Sequence, residues 1–122
     1  LPFVPPSALG RQRLPALAQH LGVAVVQGNR MGHLLGAQVS KGRALAHLKA
    51  HRKAHTVQVL ALGDSPNDMP LLEAADVAVV VPGAQGPHPV FAEALASGRF
   101  QLAPAPHGAG WSAAVRSLLL SA

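Results

Sequence analysis

Two aspartates four positions apart form the most distinctive chemical pattern in the sequence. The segment Gly63-Asp64-Ser65-Pro66-Asn67-Asp68 follows an apolar run, and it contains two of the five acidic residues of the chain. Ligands of open α/β sheets bind beyond the carboxyl ends of the strands, so Asp64 and Asp68 can point into one cleft there. Two carboxylates near backbone N–H groups suit a hard divalent cation such as Mg²⁺, which shares phosphate oxygens of a substrate.

The same segment also fits a purely structural role. Ser65 suits a helix N-cap and Pro66 the first helical position. The spacing of Ser65 and Asp68 matches a capping box. Capping would explain Ser65 and Asp68 but not Asp64 directly after Gly63, so spacing alone leaves both interpretations open.

Helices and strands must position these residues, and the sequence predicts that they alternate. Periodicity predicts helices over 8–21, 41–54, 66–75, 88–96 and 111–120, and strands over 23–26, 31–35, 57–62, 77–81 and 100–102. Pro15 suggests a late start or a kink in the first helix. Gly28-Asn29 predicts the tight turn of a hairpin, and Leu45 and Leu48 are expected to face inward. From residue 41 onward the alternation predicts an open α/β sheet with right-handed crossovers.

Composition excludes several classes of protein. The chain has 122 residues, of which 49% are hydrophobic and 12% charged, and this is too apolar for a disordered segment. There is no cysteine, which excludes disulfides and thiol chemistry. The net charge of +5 comes with only 3% aromatic residues, so we expect no nucleic-acid partner. No secretory signal or membrane-length apolar run is visible, so we expect a cytoplasmic protein without a membrane partner.

Several motifs carry a resemblance to one enzyme family. Residues 63–73 (GDSPNDMPLLE) resemble the G-D-x-x-N-D motif of haloacid-dehalogenase-type phosphatases, and Lys41-Gly42 resembles their third-motif lysine. Residues 28–36 (GNRMGHLLG) resemble a cap-domain hairpin of mannosyl-3-phosphoglycerate phosphatases. Residues 108–111 (GAGW) resemble the C-terminal G-x-x-G-W element of the same subfamily.

The resemblance implies a fold and a function. Residues 1–37 would form the end of an α+β cap domain, and residues 38–122 the C-terminal half of a Rossmann-like phosphatase core. The implied reaction is Mg²⁺-dependent hydrolysis of mannosyl-3-phosphoglycerate to mannosylglycerate and phosphate. The sequence does not separate this substrate from glucosyl-3-phosphoglycerate or another sugar phosphate.

One departure from the family limits the expected activity. These phosphatases use an aspartate nucleophile in a D-x-D motif, and the chain contains no D-x-D. The second-motif Ser or Thr strand is also absent. We therefore expect a C-terminal portion of the enzyme that is inactive alone. A non-catalytic phosphate- or metal-binding module is the alternative.

The resemblance also implies roles for residues near the motif. Asp64 would bind Mg²⁺. Asp68 would either bind the ion as well or hold the residues that bind it. Lys41 would neutralise phosphate oxygens, although a solvated surface lysine is the alternative. Ser65 and Asn67 would donate hydrogen bonds to phosphate or hold the loop.

Two residues of the cap hairpin are candidates for substrate binding. Arg30 suits a carboxylate such as that of glycerate, because guanidinium and carboxylate groups form paired hydrogen bonds. His33 lies on the same hairpin. A solvent-facing arginine and a packed histidine are the alternative.

Two other features are interpreted structurally. One helical face carries three histidines at a spacing typical of metal ligands, His47, His51 and His55. Because no carboxylate accompanies them, we expect this face to be exposed to solvent. Trp111 is expected in the core or as support for a substrate loop.

The run Val57–Leu62 is expected to form an unpaired sheet edge. In the family, the strand that bears the nucleophile lies beside this strand. We therefore expect the chain to form a dimer or to associate with the missing N-terminal half.

Overall fold

The computed structural model describes residues 1–4, 7–27, 31–51 and 57–121. The predicted Gly28-Asn29 turn, Arg30 and His55 lie outside these ranges. Within them, the helices are α1 (Ala8–His20), α2 (Lys41–His51), α3 (Met69–Ala74), α4 (Ala92–Ala96) and α5 (His107–Leu120). The strands are β1 (Pro2–Phe3), β2 (Val23–Gln27), β3 (Gly32–Gly36), β4 (Leu60–Gly63), β5 (Val77–Val80) and β6 (Gln101–Leu102).

A parallel sheet of order β4-β5-β6 forms the centre of the larger part of the chain. Side chains of a strand alternate between the two faces of a sheet, and β4 follows this rule. Ala61 packs on one face with Leu72 of α3 and Phe91, which precedes α4. Leu60 and Leu62 lie on the other face, where Ala114 and Leu118 of α5 are the main partners. Helices on both faces of a parallel sheet confirm the predicted α/β fold, a partial Rossmann-like core.

A second, antiparallel sheet has the order β1-β3-β2. Strands β2 and β3 pair from Val23 with Gly36 to Gln27 with Gly32, as expected for the predicted hairpin. Helix α1 packs against β2, and β2 also lies against the short 3-10 turn Pro66–Asp68 that precedes α3. The hairpin is therefore placed beside the turn that carries Asp68.

Several predicted boundaries and orientations are wrong. Strand pairing begins at Leu60 rather than Val57, since Val59 instead bonds to Asp76 at the turn before β5. Helix α5 begins four residues before the predicted start at Trp111, because its glycine-rich first turn gives no apolar periodicity. Leu48 is 52% exposed, so it does not face the core.

The first helix and the last strand also differ from expectation. Helix α1 begins at Ala8 and continues through Pro15. Its start is fixed by Ser7, whose side-chain oxygen accepts a hydrogen bond from the Gly10 N–H at 3.0 Å. Phe100 belongs to the core beside Phe91 rather than to β6. None of the helices in the described ranges has the length and apolar character needed to cross a membrane.

Candidate functional site

The site is built on the carboxyl end of β4. Gly63 ends the strand, and Asp64 follows it with an exposed side chain. A Cβ atom on Gly63 would lie 2.5 Å from the Cβ of Asp68, which is too close for any side chain. Glycine at this position therefore allows the turn to fold Asp68 back against the end of the strand.

The carboxylate of Asp68 organises the turn. One oxygen, Oδ2, accepts hydrogen bonds from the Asp64 N–H at 3.1 Å and from the N–H and hydroxyl of Ser65, both at 3.3 Å. The other oxygen, Oδ1, forms an ion pair with Nζ of Lys41. Asp68 thus makes the capping contact with Ser65 and also binds a residue 27 positions away.

These contacts determine the charge state of Asp68. Burial alone would raise the pKa of this carboxyl group. The hydrogen bond and positive charge of Lys41, together with the N–H groups of Asp64 and Ser65, outweigh burial and hold the pKa of Asp68 below its ordinary value. The site therefore keeps a buried negative charge next to a cation.

Lys41 is held at this position by close packing of its helix. It begins α2, and the next residue, Gly42, is buried against the carbonyl of Pro70 at the start of α3. Any larger residue at 42 would displace α2 from α3. The side chain of Lys41 is 51% exposed whereas that of Asp68 is 8% exposed, so about half of the lysine side chain remains accessible from solvent.

Two cavities flank the ion pair. The first, here called the Asp64 cavity, has a volume of about 380 Å³, and its lining includes Asp64, Asp68, Leu62, Val81, His107 and Trp111. The second, the hairpin cavity, has a volume of about 560 Å³ and lies between β2–β3 and α2; its lining includes Val26, His33, Leu35, Lys41, Asn67 and Pro70. Both volumes are within the range of small-molecule sites, about 300–1,000 Å³.

The structure therefore brings most of the candidate residues together. Asp64, Ser65, Asn67 and Asp68 share one turn, where the single hydroxyl proton of Ser65 is shared between Oδ1 of Asn67 and Oδ2 of Asp68. The half-buried His33 lines the hairpin cavity with Lys41 and Asn67. Arg30 lies outside the described residues.

Sequence reasoning missed two members of the Asp64 cavity. Trp111 is 50% exposed and lines this cavity, so its expected place in the core is wrong, whereas support of a substrate loop stays a prediction. It lies four residues after the start of α5. His107 drew no attention because it belongs to no spacing pattern. Its position immediately before the Gly-Ala-Gly-Trp element is the signal that could have indicated it.

Metal-ligating groups are few in the described ranges. No cluster of three or more His, Cys, Asp or Glu side chains is close enough to hold a metal ion there. His47 and His51 stack with ring centroids 4.2 Å apart, and Nδ1 of His51 lies 3.2 Å from the His47 carbonyl oxygen. Asp64 and Asp68 both line the Asp64 cavity. One or two carboxylates plus substrate oxygens and waters fit the usual protein site for Mg²⁺.

Comparison with known proteins shows similarity to a family model and to curated proteins. A family model described as haloacid dehalogenase-like hydrolase matches residues 10–94. The glucosyl-3-phosphoglycerate/mannosyl-3-phosphoglycerate phosphatase of Persephonella marina (strain DSM 14350 / EX-H1) is 31% identical over an alignment of 84 residues, and the alignment covers 66% of this chain and 31% of that protein. The chain thus spans less than a third of this relative, and the match confirms the resemblance to its subfamily. Because the family model covers more than half of the 122 residues and includes Lys41, β4 and the Asp64–Asp68 turn, the chain belongs to the haloacid dehalogenase-like hydrolase family.

Proposed function

We propose that this chain forms the C-terminal part of a Mg²⁺-dependent sugar-phosphate phosphatase whose substrate is mannosyl-3-phosphoglycerate or glucosyl-3-phosphoglycerate. The observation that carries the proposal is the ion pair of Lys41 and Asp68 beside Asp64 at the carboxyl end of β4. The Persephonella relative, whose name includes both substrates, supports the substrate class.

Each charged residue has a distinct role in this proposal. Asp64 is exposed in its cavity and is the direct metal ligand. Asp68 holds the other site residues in position, because its oxygens accept hydrogen bonds from Lys41, Asp64 and Ser65. Lys41 offers its accessible ammonium group to phosphate oxygens, and the anionic Asp68 keeps that group in position.

A bound Mg²⁺ would supply charge neutralisation for the phosphate oxygens as the phosphate ester is cleaved. The protein would supply the alignment of the groups that meet there. The attacking aspartate of the D-x-D motif would come from a segment outside these 122 residues.

The hairpin cavity is proposed to receive the glycerate end of the substrate. It places the imidazole of His33 in the same cavity as Lys41 and Asn67, between the hairpin and the core. Domain boundaries at 1–37 and 38–122 would assign this cavity to the junction of cap and core.

The test compares two aspartate variants in a protein that carries this chain together with a D-x-D segment. Asp64→Asn keeps the size of the side chain but removes its charge, and should abolish most Mg²⁺-dependent phosphate release from mannosyl-3-phosphoglycerate. Asp76→Asn is the matched control, because Asp76 is also exposed but lies at the opposite end of the sheet and pairs with Lys49. Near wild-type turnover of the Asp64→Asn protein at low Mg²⁺ would show that the metal assignment is wrong.

Binding gives a second readout that needs no turnover. In the 122-residue chain, Mg²⁺ should shift the backbone amide NMR signals of residues 63–65, 67 and 68, and Asp64→Asn should remove this shift. The non-catalytic alternative rests on the missing D-x-D motif. It would be favoured if Mg²⁺ and inorganic phosphate bind this chain while no protein that carries it releases phosphate.

A further inference from the structure

The Asp64 cavity has a wall formed by α5 that the proposed metal and phosphate roles leave without a function. Trp111, the only tryptophan of the chain, is half exposed and lines this wall. Leu62 and Val81 add further apolar surface to the same cavity. An exposed indole in a cavity that also holds carboxylates suggests a ligand with both an apolar face and polar groups.

His107 occupies an unusual backbone position on this wall. Among the described residues it is the one non-glycine residue with a positive φ, 54°, a region that is unfavourable for side chains with a Cβ. The strain is held in place because the His107 N–H donates to the Pro82 carbonyl at 3.0 Å. Gly110 adds to this constraint, since its missing Cβ allows α5 to pack directly against the carbonyl of Ala105.

Strained residues occur preferentially where a protein contacts a ligand. His107 lines the cavity, and Cε1 of its ring lies 3.9 Å from the position that a Cβ on Gly83 would take. An imidazole can donate and accept hydrogen bonds. His107 and Trp111 therefore offer a polar edge and an apolar plane within one turn of α5.

The chemistry of the wall selects one class of ligand. A free phosphate ion has no apolar face for the indole to contact. A sugar ring has an apolar face of C–H groups and a rim of hydroxyl groups, and it matches both residues. Resting on the proposed function, we propose that His107 and Trp111 bind the sugar ring of the substrate, with the indole against its face and the imidazole bonded to its hydroxyls.

The single tryptophan makes the proposal directly measurable. Trp111 fluorescence of the 122-residue chain is titrated with methyl α-D-mannopyranoside, which has no phosphate, and separately with inorganic phosphate plus Mg²⁺. We expect a saturable fluorescence change with the glycoside. His107→Gly should weaken its binding about three- to tenfold, as expected for the loss of one or two hydrogen bonds.

The choice of variants separates binding from folding. Glycine tolerates the positive φ of position 107, so His107→Gly should keep or raise the thermal unfolding temperature while it weakens sugar binding. His107→Asn retains a hydrogen-bonding side chain that tolerates this φ, and should restore part of the affinity. His20→Asn, at the exposed end of α1, is the matched control and should leave the titration unchanged.

The outcomes distinguish this inference from the proposed function. A response to phosphate plus Mg²⁺ but none to the glycoside overturns the inference that His107 and Trp111 bind a sugar ring, and leaves the proposed function intact. A response to the glycoside alone supports sugar binding by His107 and Trp111 and argues against the proposed metal and phosphate site. Equal glycoside affinity in His107→Gly and the unmodified chain overturns the role of His107.

Discussion

Lys41 and Asp68 are 27 residues apart in sequence and form an ion pair that joins the start of α2 to the turn after β4. The aspartate is almost completely buried and the lysine is half exposed. A buried carboxylate of this kind needs its partner, because an isolated buried charge is strongly unfavourable. The pair therefore fixes one side of the site while half of the lysine side chain stays exposed to solvent.

Replacing Lys41 should raise the pKa of Asp68. In Lys41→Met the hydrogen bond and positive charge that lower this pKa are gone, whereas burial, which raises it, remains. The measurement is an NMR titration of the Asp68 carboxyl carbon in metal-free buffer. Lys49→Met, which breaks the exposed pair with Asp76, is the control and should leave the Asp68 titration unchanged.

The same pair should make stability depend on pH in acid. Since folding lowers the pKa of Asp68 below its ordinary value of 3.8, the folded state holds this proton less tightly than the unfolded state does. The contribution of Asp68 to the free energy of unfolding is therefore present above about pH 3.8 and is lost as the pH falls through the folded pKa. Asp68→Asn should show a shallower loss of stability below this pH in urea unfolding curves. An unchanged slope would contradict the assignment.

Gly63→Ala should destabilise the fold. Its Cβ would lie 2.5 Å from the Cβ of Asp68, so the turn must move, and we expect a loss of about 1–3 kcal/mol in the free energy of unfolding. Gly108→Ala is the control, because a Cβ added at Gly108 would meet no neighbouring atom within 4 Å and alanine favours a helix. Thermal unfolding of both variants checks the prediction. Equal stability of the two would show that Asp68 does not pack against the strand end.

The sequence predicts the parts of this structure that depend on local patterns. The apolar run before Gly63 and the Ser-Pro after Asp64 indicate a strand followed by a helical turn, and both are present. The Lys41–Asp68 ion pair depends on the close packing of α2 against α3, which no local pattern reports. The position of Trp111 depends on the cavity at the end of the sheet, and an indole in a helix is normally predicted to be buried.

The chain alone should release no phosphate above background from any phosphate ester. On the proposed assignment, Asp64 would bind the metal and Lys41 would contact the phosphate, but the sequence contains no D-x-D aspartate to attack phosphorus. Phosphate release by nanomolar purified chain is measured with and without Mg²⁺. Turnover that depends on Mg²⁺ and survives in Asp64→Asn would indicate a contaminant. Turnover lost in that variant would show that the chain carries its own nucleophile.

The outer edge of β4 should pair with another strand. Strand β4 is bonded to β5 on one side, where Val77 and Val81 donate their N–H groups to the carbonyls of Val59 and Gly63. This alternation directs the N–H groups of Leu60 and Leu62 to the opposite side, the edge of the described sheet. An apolar edge without proline or charge is a template for association, and each buried backbone group left unpaired costs about 1–3 kcal/mol.

Hydrogen exchange and sedimentation can test this pairing residue by residue. At high concentration the amides of Leu60 and Leu62 should become protected while the chain sediments as a dimer or larger species. The amide of Ala61 points towards β5 and serves as the internal control, because it should be protected at every concentration. Association that leaves Leu60 and Leu62 unprotected would place the interface elsewhere. A chain that stays monomeric at high concentration, with both amides exchanging freely, would show that this edge is stable in water and needs no partner.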